Sequence, residues 1–523
     1  MDYVKNIVNR FEKVKSKRAE IETVLQEISD FVLVHKGDFN NKTSSNDIKT
    51  RKVYSTAATE ANNRLASTIY GGLTNLGSKW FALQLEDTAA PTTEIQRWLD
   101  EVNNIMLHYF NSSESGFASQ NHEFLLSVTS LGTACMYVVE DEDGGIKFST
   151  IHLSEIYVLE DSGGDIDTVF RKFKYTVRQA AQMWGVENLH VNLQKVLEQN
   201  PDHEIEILHV VRPIGEGAPA SLSAFKYESI YIDIAHSKML SQKGFYEMPY
   251  IVARFSKRTQ EIYGRSPAWD ALPTIRLVNQ MEKEVLRAKQ LRNMPPLLVS
   301  DDSVMMPLNV SPNGIIMGGL TIDGTPRLAP LQLGNDPYGV DADIERYTRA
   351  IRESFFVDQL YFKEGTPVSA TEAVQRQEAR LQMLTPAISR LSREYLNKLI
   401  ETVFSILYRA DLLPPAPLGL DENKIKIEYL SPLAKLQKFQ DIQALQRAIT
   451  AMSPLAQLDP SMFDVLNLSE SMRYAAVTAG VPATLLRTRE ELDAINGKKE
   501  EEARIQQNMQ LAAYVNNLNK PIQ

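Results

Sequence analysis

Ser369-Ala370-Thr371-Glu372-Ala373-Val374 opens, and Leu407-Tyr408-Arg409-Ala410 closes, a stretch of about forty residues that reads as one helix, about 60 Å long at 1.5 Å per residue. Its apolar positions, Val374, Leu381, Leu384, Ile388, Leu391, Tyr395, Leu399, Val403 and Leu407, fall three, four or seven apart, so one face is buried throughout. Glu372, Arg376, Glu378, Arg380, Arg390 and Arg393 occupy the other faces. Ser369 with Glu372 makes a capping box, and Pro414 with Pro415 closes the far end. Pro386 interrupts the stripe, where its missing N–H and its crowding of the preceding turn predict a kink.

Upstream, residues 358–367 break the pattern and carry Tyr361, Phe362, Lys363 and Gly365, which reads as an exposed loop. Before it, Asp341 to Val357 forms a helix with Ile344, Tyr347, Ile351 and Phe355 inward. Leu297 to Pro337 is rich in Gly, Pro and Asp and reads as a small unit of short strands and turns. Ser266-Pro267 signals a helix start, and a long helix with Ile275, Val278, Met281, Val285 and Ala288 on one face runs to Arg292, before Met294-Pro295-Pro296.

The first half mixes periods. Residues 2–34 are helical, with Val4, Ile7, Phe11, Val14, Ile21, Leu25, Ile28 and Val32 in phase, and Ala57 to Tyr70 is a second helix. Ala134–Glu140 and Ile146–Ile151 form a hairpin. Strands follow at Ile156–Glu160, Val169–Val177, Ile205–Val211, Tyr227–Ile234 and Tyr250–Phe255, giving a mixed helix and antiparallel-sheet body. After Pro417, a short strand at Ile425–Leu430 precedes helices at Leu433–Met452 and Ser469–Ala479, and Thr488 with Glu491 is another capping box.

The chain is 523 residues long and 43% hydrophobic, enough for a large core in two to four domains. Fifty-six Lys and Arg stand against 66 Asp and Glu, and a net charge of -10 argues against gripping nucleic acid over the whole surface. That balance is compatible with DNA that merely passes. The one cysteine, Cys135, reads as a small buried hydrophobe in a strand. The basic N-terminus has no signal-peptide core, and no long uncharged apolar segment suggests a membrane span.

Catalytic patterns fail one by one. Gly72 to Lys79 resembles a phosphate loop, but the Lys is displaced by one and a helix precedes it. His122-Glu123 begins a zinc-protease motif whose second His is Leu126 instead. Asp301 and Asp302 lack a third ligand, and neither a Gly-x-Ser-x-Gly elbow nor a Cys-x-x-Cys pair occurs. We therefore expect neither an enzyme nor a cofactor.

Tyr263-Gly264-Arg265-Ser266-Pro267 leading into the Arg292 helix, Val368-Ser369-Ala370-Thr371-Glu372, and Asn63-Arg64-Leu65-Ala66-Ser67 followed by Lys79-Trp80-Phe81 together carry a resemblance. In that order and spacing the chain resembles the head-to-tail connector, or portal, proteins of short-tailed bacteriophages. The resemblance implies an α+β, mainly helical portal fold, assembled as a ring of about twelve copies at a capsid vertex. It implies a wing (1–263), a stem helix (264–295), a clip (296–338), a second stem helix (339–357), a tunnel loop (358–368), a long helix returning to the wing (369–430), and a crown with a C-terminal tail (431–523).

The implied partners are other copies of the chain, double-stranded viral DNA, a terminase packaging motor, tail adaptor proteins, and the major capsid protein with its scaffold. The implied location is the virion, assembled in the host bacterial cytoplasm. Arg276, Lys283, Arg287, Lys289, Arg292, Arg349 and Arg352 on the stem have two readings: pairing with Glu282, Glu284, Glu345 and Glu353 or capping helix ends, or facing the channel. Tyr361, Phe362 and Lys363 either tip the tunnel loop or pack back onto the long helix. Met305 and Met306 suit adaptable partner contacts on the clip. A non-portal virion or scaffold component, and a packaging ATPase, are the competing classes.

Overall fold

The computed structural model describes residues 2–34, 39, 52–75, 79–85, 93–141, 145–215, 219–293, 297–299, 323, 328–330, 340–357, 383–417, 425–429, 447, 450 and 471–472. The chain divides into two compact units, Met1–Tyr429 and Leu430–Gln523. In the second, the four described residues are all helical. Most of the C-terminal helices expected above, with the Thr488 capping box, lie outside the described residues.

The first unit is a mixed α+β body. Helices α1 (Asp2–Phe31) and α2 (Ala57–Leu73) precede strand β1 (Phe81–Leu85), followed by α3 (Thr93–Asn111) and α4 (Phe117–Leu131). Strands β2 (Thr133–Glu140) and β3 (Ile146–Ile151) form the expected hairpin, and β9 (Tyr250–Arg254) joins β2 on its other edge, giving the order β3-β2-β9. A five-stranded antiparallel sheet follows the chain: β4 (Ile156–Glu160), β5 (Ile166–Thr176), β6 (Glu204–Pro213), β7 (Tyr227–Asp233) and β8 (Lys238–Phe245). Between β5 and β6 stand α5 (Val177–Trp184), opened by a Thr176–Gln179 capping box, and α6 (Val191–Gln199).

Alternation along the strands gives the large sheet two apolar faces. Phe170, Leu208, Val210, Ile230 and Ile232 receive Val4, Ile7, Phe11 and Val14 of α1. Phe173, Ile205, Ile207 and Leu240 receive Val177, Ala180 and Trp184 of α5 and Leu193 of α6. Between the sheets, buried His209 bonds the Tyr250 hydroxyl at 2.6 Å and the Ser229 hydroxyl at 2.8 Å and stacks on Tyr231. Burial holds its imidazole down to about 3, so it is neutral. Cys135 is fully buried in β2, and burial pushes its thiol up, as a core hydrophobe requires.

Two further elements leave the sheets. Helix α7 (Pro267–Asn293) starts at the Ser266-Pro267 signal and runs through Pro273 in its second turn. Beyond it, β10 (Leu297–Val299) pairs antiparallel with β11 (Leu328–Pro330), and α8 (Val340–Ser354) packs against α7. The rest of the short-strand unit, including Met305 and Met306, lies outside the described residues, as do Tyr361, Phe362, Lys363 and the Ser369–Glu372 start of the long helix.

What is described of that helix, α9 (residues 383–409), is not uniform. It is α-helical over 383–391 and Asn397–Arg409, with a π-turn at Ser392–Leu396 between them. Pro386 is exposed within the first part, and the π-turn begins six residues past it. After α9, β12 (Ile425–Tyr429) pairs antiparallel with β1, bringing the chain back to its N-terminal region.

Candidate functional site: an exposed helical hairpin and its anchor

The Tyr263–Pro267 segment is where α7 is fastened. Gly264 N–H donates to Thr133 Oγ1 at 2.8 Å, the Ser266 hydroxyl donates to the Ser130 carbonyl, and Trp269 Nε1 donates to the Leu131 carbonyl at 3.1 Å. The Tyr263 hydroxyl accepts from Val158 N–H at 3.3 Å. The two backbones cross so closely at Gly132 and Gly264 that a Cβ on Gly264 would lie 2.3 Å from the Gly132 carbonyl oxygen. Gly132 also ends α4 with φ of 85°, in the left-handed region that favours glycine. The motif therefore anchors the helix to the α4–β2 junction.

A second lock holds α9. Arg254, at the end of β9, is almost wholly buried and clasps Glu394 of the π-turn, with Nε at 3.1 Å from Oε2 and Nη2 at 2.9 Å from Oε1. Its backbone N–H also donates to Glu394 at 3.0 Å, and its remaining nitrogen pairs with Glu160. Glu394 in turn holds Arg390 at 3.0 Å, and Lys257 pairs with Glu160. Arg393 pairs with Asp165 at 2.9 Å, which holds that carboxyl below its ordinary range. Tyr395 stacks on Phe124 with ring centroids 4.0 Å apart and donates to Asn121 at 2.8 Å. The Tyr429 hydroxyl of β12 donates to Asn397 and lies 3.3 Å from the Ser392 carbonyl, which ties the widened turn to β12.

Arg18 is a third saturated cation. From the middle of α1 it donates to the carbonyls of Leu153, Ile156 and Ser154, pairs with Glu22, and lies 3.8 Å over the Tyr157 ring. None of these locks was anticipated from the sequence. Arg254 and Glu394 are 140 positions apart, and no spacing rule connects them.

The hairpin itself is different. The root of α7 buries Ala268, Ala271, Leu272, Ile275 and Val278, and α8 buries Ile351 next to buried Phe355. Beyond Val278 no described side chain of α7 is buried, and Leu277, Leu286 and Leu291 are 41%, 47% and 38% exposed. These three leucines are the large apolar side chains that α7 leaves exposed.

The cations expected on the stem separate by place. Arg276 pairs with Glu27 of α1 and so faces its own chain, whereas Lys283 is exposed, with its ammonium 6.0 Å from the Tyr54 ring. Arg349 pairs with Glu345 at 3.4 Å, as the helix spacing predicts. Arg352 sits half-buried in the last turn of α8, where the helix dipole favours a cation. Arg287 and Lys289 are exposed with no ion pair among the described residues. Arg292 lies in the last turn of α7. Of the expected carboxylate partners, Glu284 accepts from Gln280 at 2.7 Å instead of from a cation.

Among the described residues, no group of three or more His, Cys, Asp or Glu could hold a metal ion, and no helix is long and apolar enough to cross a membrane.

Comparison with known proteins identifies the family. The bacteriophage head to tail connecting protein family matches residues 4–486. The portal protein of Salmonella phage epsilon15 is 26% identical over 519 residues, 96% of this chain and 92% of that protein. The probable portal protein of Bordetella phage BPP-1 is 24% identical over 527 residues, 98% of this chain and 93% of that protein.

Proposed function

The chain belongs to the bacteriophage head-to-tail connecting protein family and joins phage head to tail; from that premise we propose that its copies close into a ring of about twelve through which double-stranded DNA is packaged and ejected. The observation that carries the proposal is the α7–α8 hairpin, rooted by glycine crossings and buried apolar residues, yet uncovered along the outer half of α7. Such a hairpin is a wall element: its apolar residues need neighbours, and its polar residues can line a hole.

In this reading residues 1–263 are the wing, α7 and α8 the stem, and β10 with β11 the base of a clip spanning 296–338. Residues 358–368 form the tunnel loop, with Tyr361, Phe362 and Lys363 at its tip. Residues 369–430 return the chain to the wing, a course supported by the pairing of β12 with β1, and 431–523 form the crown and tail. The clip, with Met305 and Met306, receives the terminase motor and then the tail adaptors, while the wing meets the major capsid protein and its scaffold. The ring works in the virion after assembly in the host cytoplasm, and no catalytic step is assigned to it.

Electrostatics favours passage over capture. Duplex DNA carries about one negative charge per 1.7 Å, so a bore lined with unpaired cations would hold it. Pairing Arg276 with Glu27 and Arg349 with Glu345 within the chain removes two cations from that lining. Arg287 is left exposed, placed to damp repulsion as the duplex passes.

The test is imaging of the purified protein down its symmetry axis. An annulus with a central opening is expected; compact single copies or open filaments under assembly-promoting conditions would reject the ring. Given a ring, deleting residues 363–365 is expected to lower genome retention after packaging while leaving the annulus intact, and unchanged retention would remove the tunnel-loop role.

A further inference from the structure

Helix α7 carries two unlike flanks. Leu277, Glu284 and Leu291 are spaced by sevens, so they form one stripe that drifts only about 20° per step. Leu286 lies nine positions from Leu277, about 180° round the helix at 100° per residue, and is bracketed by Lys283 and Lys289. All six side chains are exposed. On the outer half the buried or half-buried side chains, Val278, Met281, Glu282 and Val285, lie between the two flanks, whereas nearer the root Ala268, Leu272 and Ile275 are buried on the Leu286 side. One flank is thus leucine with a carboxylate, and the other is leucine with two ammonium groups.

We infer that the Leu277–Glu284–Leu291 flank of one copy docks on the Lys283–Leu286–Lys289 flank of the next. The inference rests on the ring reading and names the surface that builds it. Opposed placement disfavours a twofold contact through α7, because an isologous interface sets a patch against itself and would oppose lysine to lysine on one flank or Glu284 to Glu284 on the other. A like-with-unlike contact instead leaves each copy with one free flank, which a further copy fills. The occupant is a second copy of this chain because each flank carries the charge opposite to the other's and leucine to cover the other's leucine. The contact also explains leucines on opposite sides of one helix, which a single partner lying along one face would leave half uncovered. Arg287, about 40° from Leu291 on the wheel, is left on the arc outside the basic flank.

The full-length chain tests this, with wild type and variants compared by analytical ultracentrifugation and class-averaged images. Leu286→Glu is expected to stop ring closure. Glu284→Lys or Lys289→Glu alone is expected to raise the protein concentration needed for assembly about twofold to fivefold. Glu284→Lys with Lys289→Glu in one chain re-creates an opposite-charge contact with the signs exchanged, and is expected to recover most of that loss. All these positions are exposed, so thermal melting of the chain should match wild type.

Leu286→Glu rings indistinguishable from wild type would overturn the inference, as would a double variant no better than the single ones. In both cases the wild-type ring would still stand. A wild type that forms no ring under any condition rejects the ring reading itself, and the flank contact with it.

Discussion

Arg254 and Arg287 are the same residue in opposite circumstances. Arg254 is almost fully buried, with bonds to Glu394, Glu160 and the carbonyls of Gly164 and Ile262; Arg287 stands exposed on a helix face. The contrast extends to the regions around them. In the body, buried charges sit inside closed networks, as low-dielectric burial demands. On the outer half of α7 charges are solvated, apolar side chains are scattered, and helix is maintained by strong formers such as Glu282, Leu286, Arg287, Ala288 and Gln290. The body closes its charges within one chain, whereas the outer half of α7 gains neighbours only in the proposed ring.

The comparison breaks first at Arg254. Arg254→Ala leaves the Glu394 carboxylate buried with only half-exposed Arg390 beside it, and removing one partner of a buried pair costs about 3–5 kcal/mol. Arg390 and Lys257 soften the loss, so the lower end is expected, read as a drop in urea stability of the chain. A loss below about 1 kcal/mol would mean that the body's charges matter no more than those of the hairpin.

Gly264→Ala comes next. Its Cβ would meet the Gly132 carbonyl at 2.3 Å and the Arg254 Cβ at 2.7 Å, both backbone or near-backbone atoms that cannot swing aside. Overpacking of this kind costs about 1–3 kcal/mol. Thermal melting should show it, with α7 loosened at its root; an unshifted melting temperature would dismiss the anchor role of the glycine crossing.

Acid separates the two regions further. His209 has a folded value of about 3 against an ordinary 6.5. Above pH 6.5 it is neutral in both states and contributes no pH dependence. Between 6.5 and 3 the unfolded chain takes up a proton that the folded chain refuses, so stability falls as pH falls, by about 1.4 kcal/mol per unit. His209→Gln should flatten that slope by one proton between pH 6 and pH 5 (about 1 kcal/mol). Parallel urea titrations of the variant and wild type that keep the same slope would place the acid sensitivity elsewhere.

How much of this was legible follows the same division. The hairpin helices were readable because α7 and α8 obey plain rules: a Ser-Pro start, apolar residues in phase, Pro-Pro after the stop. So were the alternating strands of the sheets. Helix α4 was not read, because it buries Asn121, Ser127, Thr129 and Ser130 along with its hydrophobes and presents no clean stripe. Helix α3 does carry one, through Trp98, Val102, Met106 and Phe110, and was overlooked. Strand β8 escaped because Lys238, Ser241, Gln242 and Lys243 hide its alternation at the sheet edge.

The π-turn left a readable trace: Leu391, Tyr395, Leu399, Val403 and Leu407 are all four apart, and a strict period of four drifts about 40° per step on a 3.6-residue helix. A wider turn absorbs that drift and brings Glu394 to Arg254 and Tyr395 to Asn121 together. The carboxylate's partner, by contrast, is a product of tertiary folding alone.

The smallest expected effect on the chain falls at Arg287. Exposed and without an ion pair among the described residues, its truncation to Ala removes no buried contact, and such surface changes stay within about 0.5 kcal/mol. Stability of the chain and closure of the ring should both match wild type. If the outer half of α7 borders moving DNA, Arg287→Glu should nevertheless change the amount of DNA packaged per particle, because it exchanges a damping cation for a charge that repels phosphate. A packaged length equal to wild type would place Arg287 on the outside of the wall. A destabilised chain would show that the hairpin depends on its charges as the body does, and the contrast with Arg254 would fail at its weakest point.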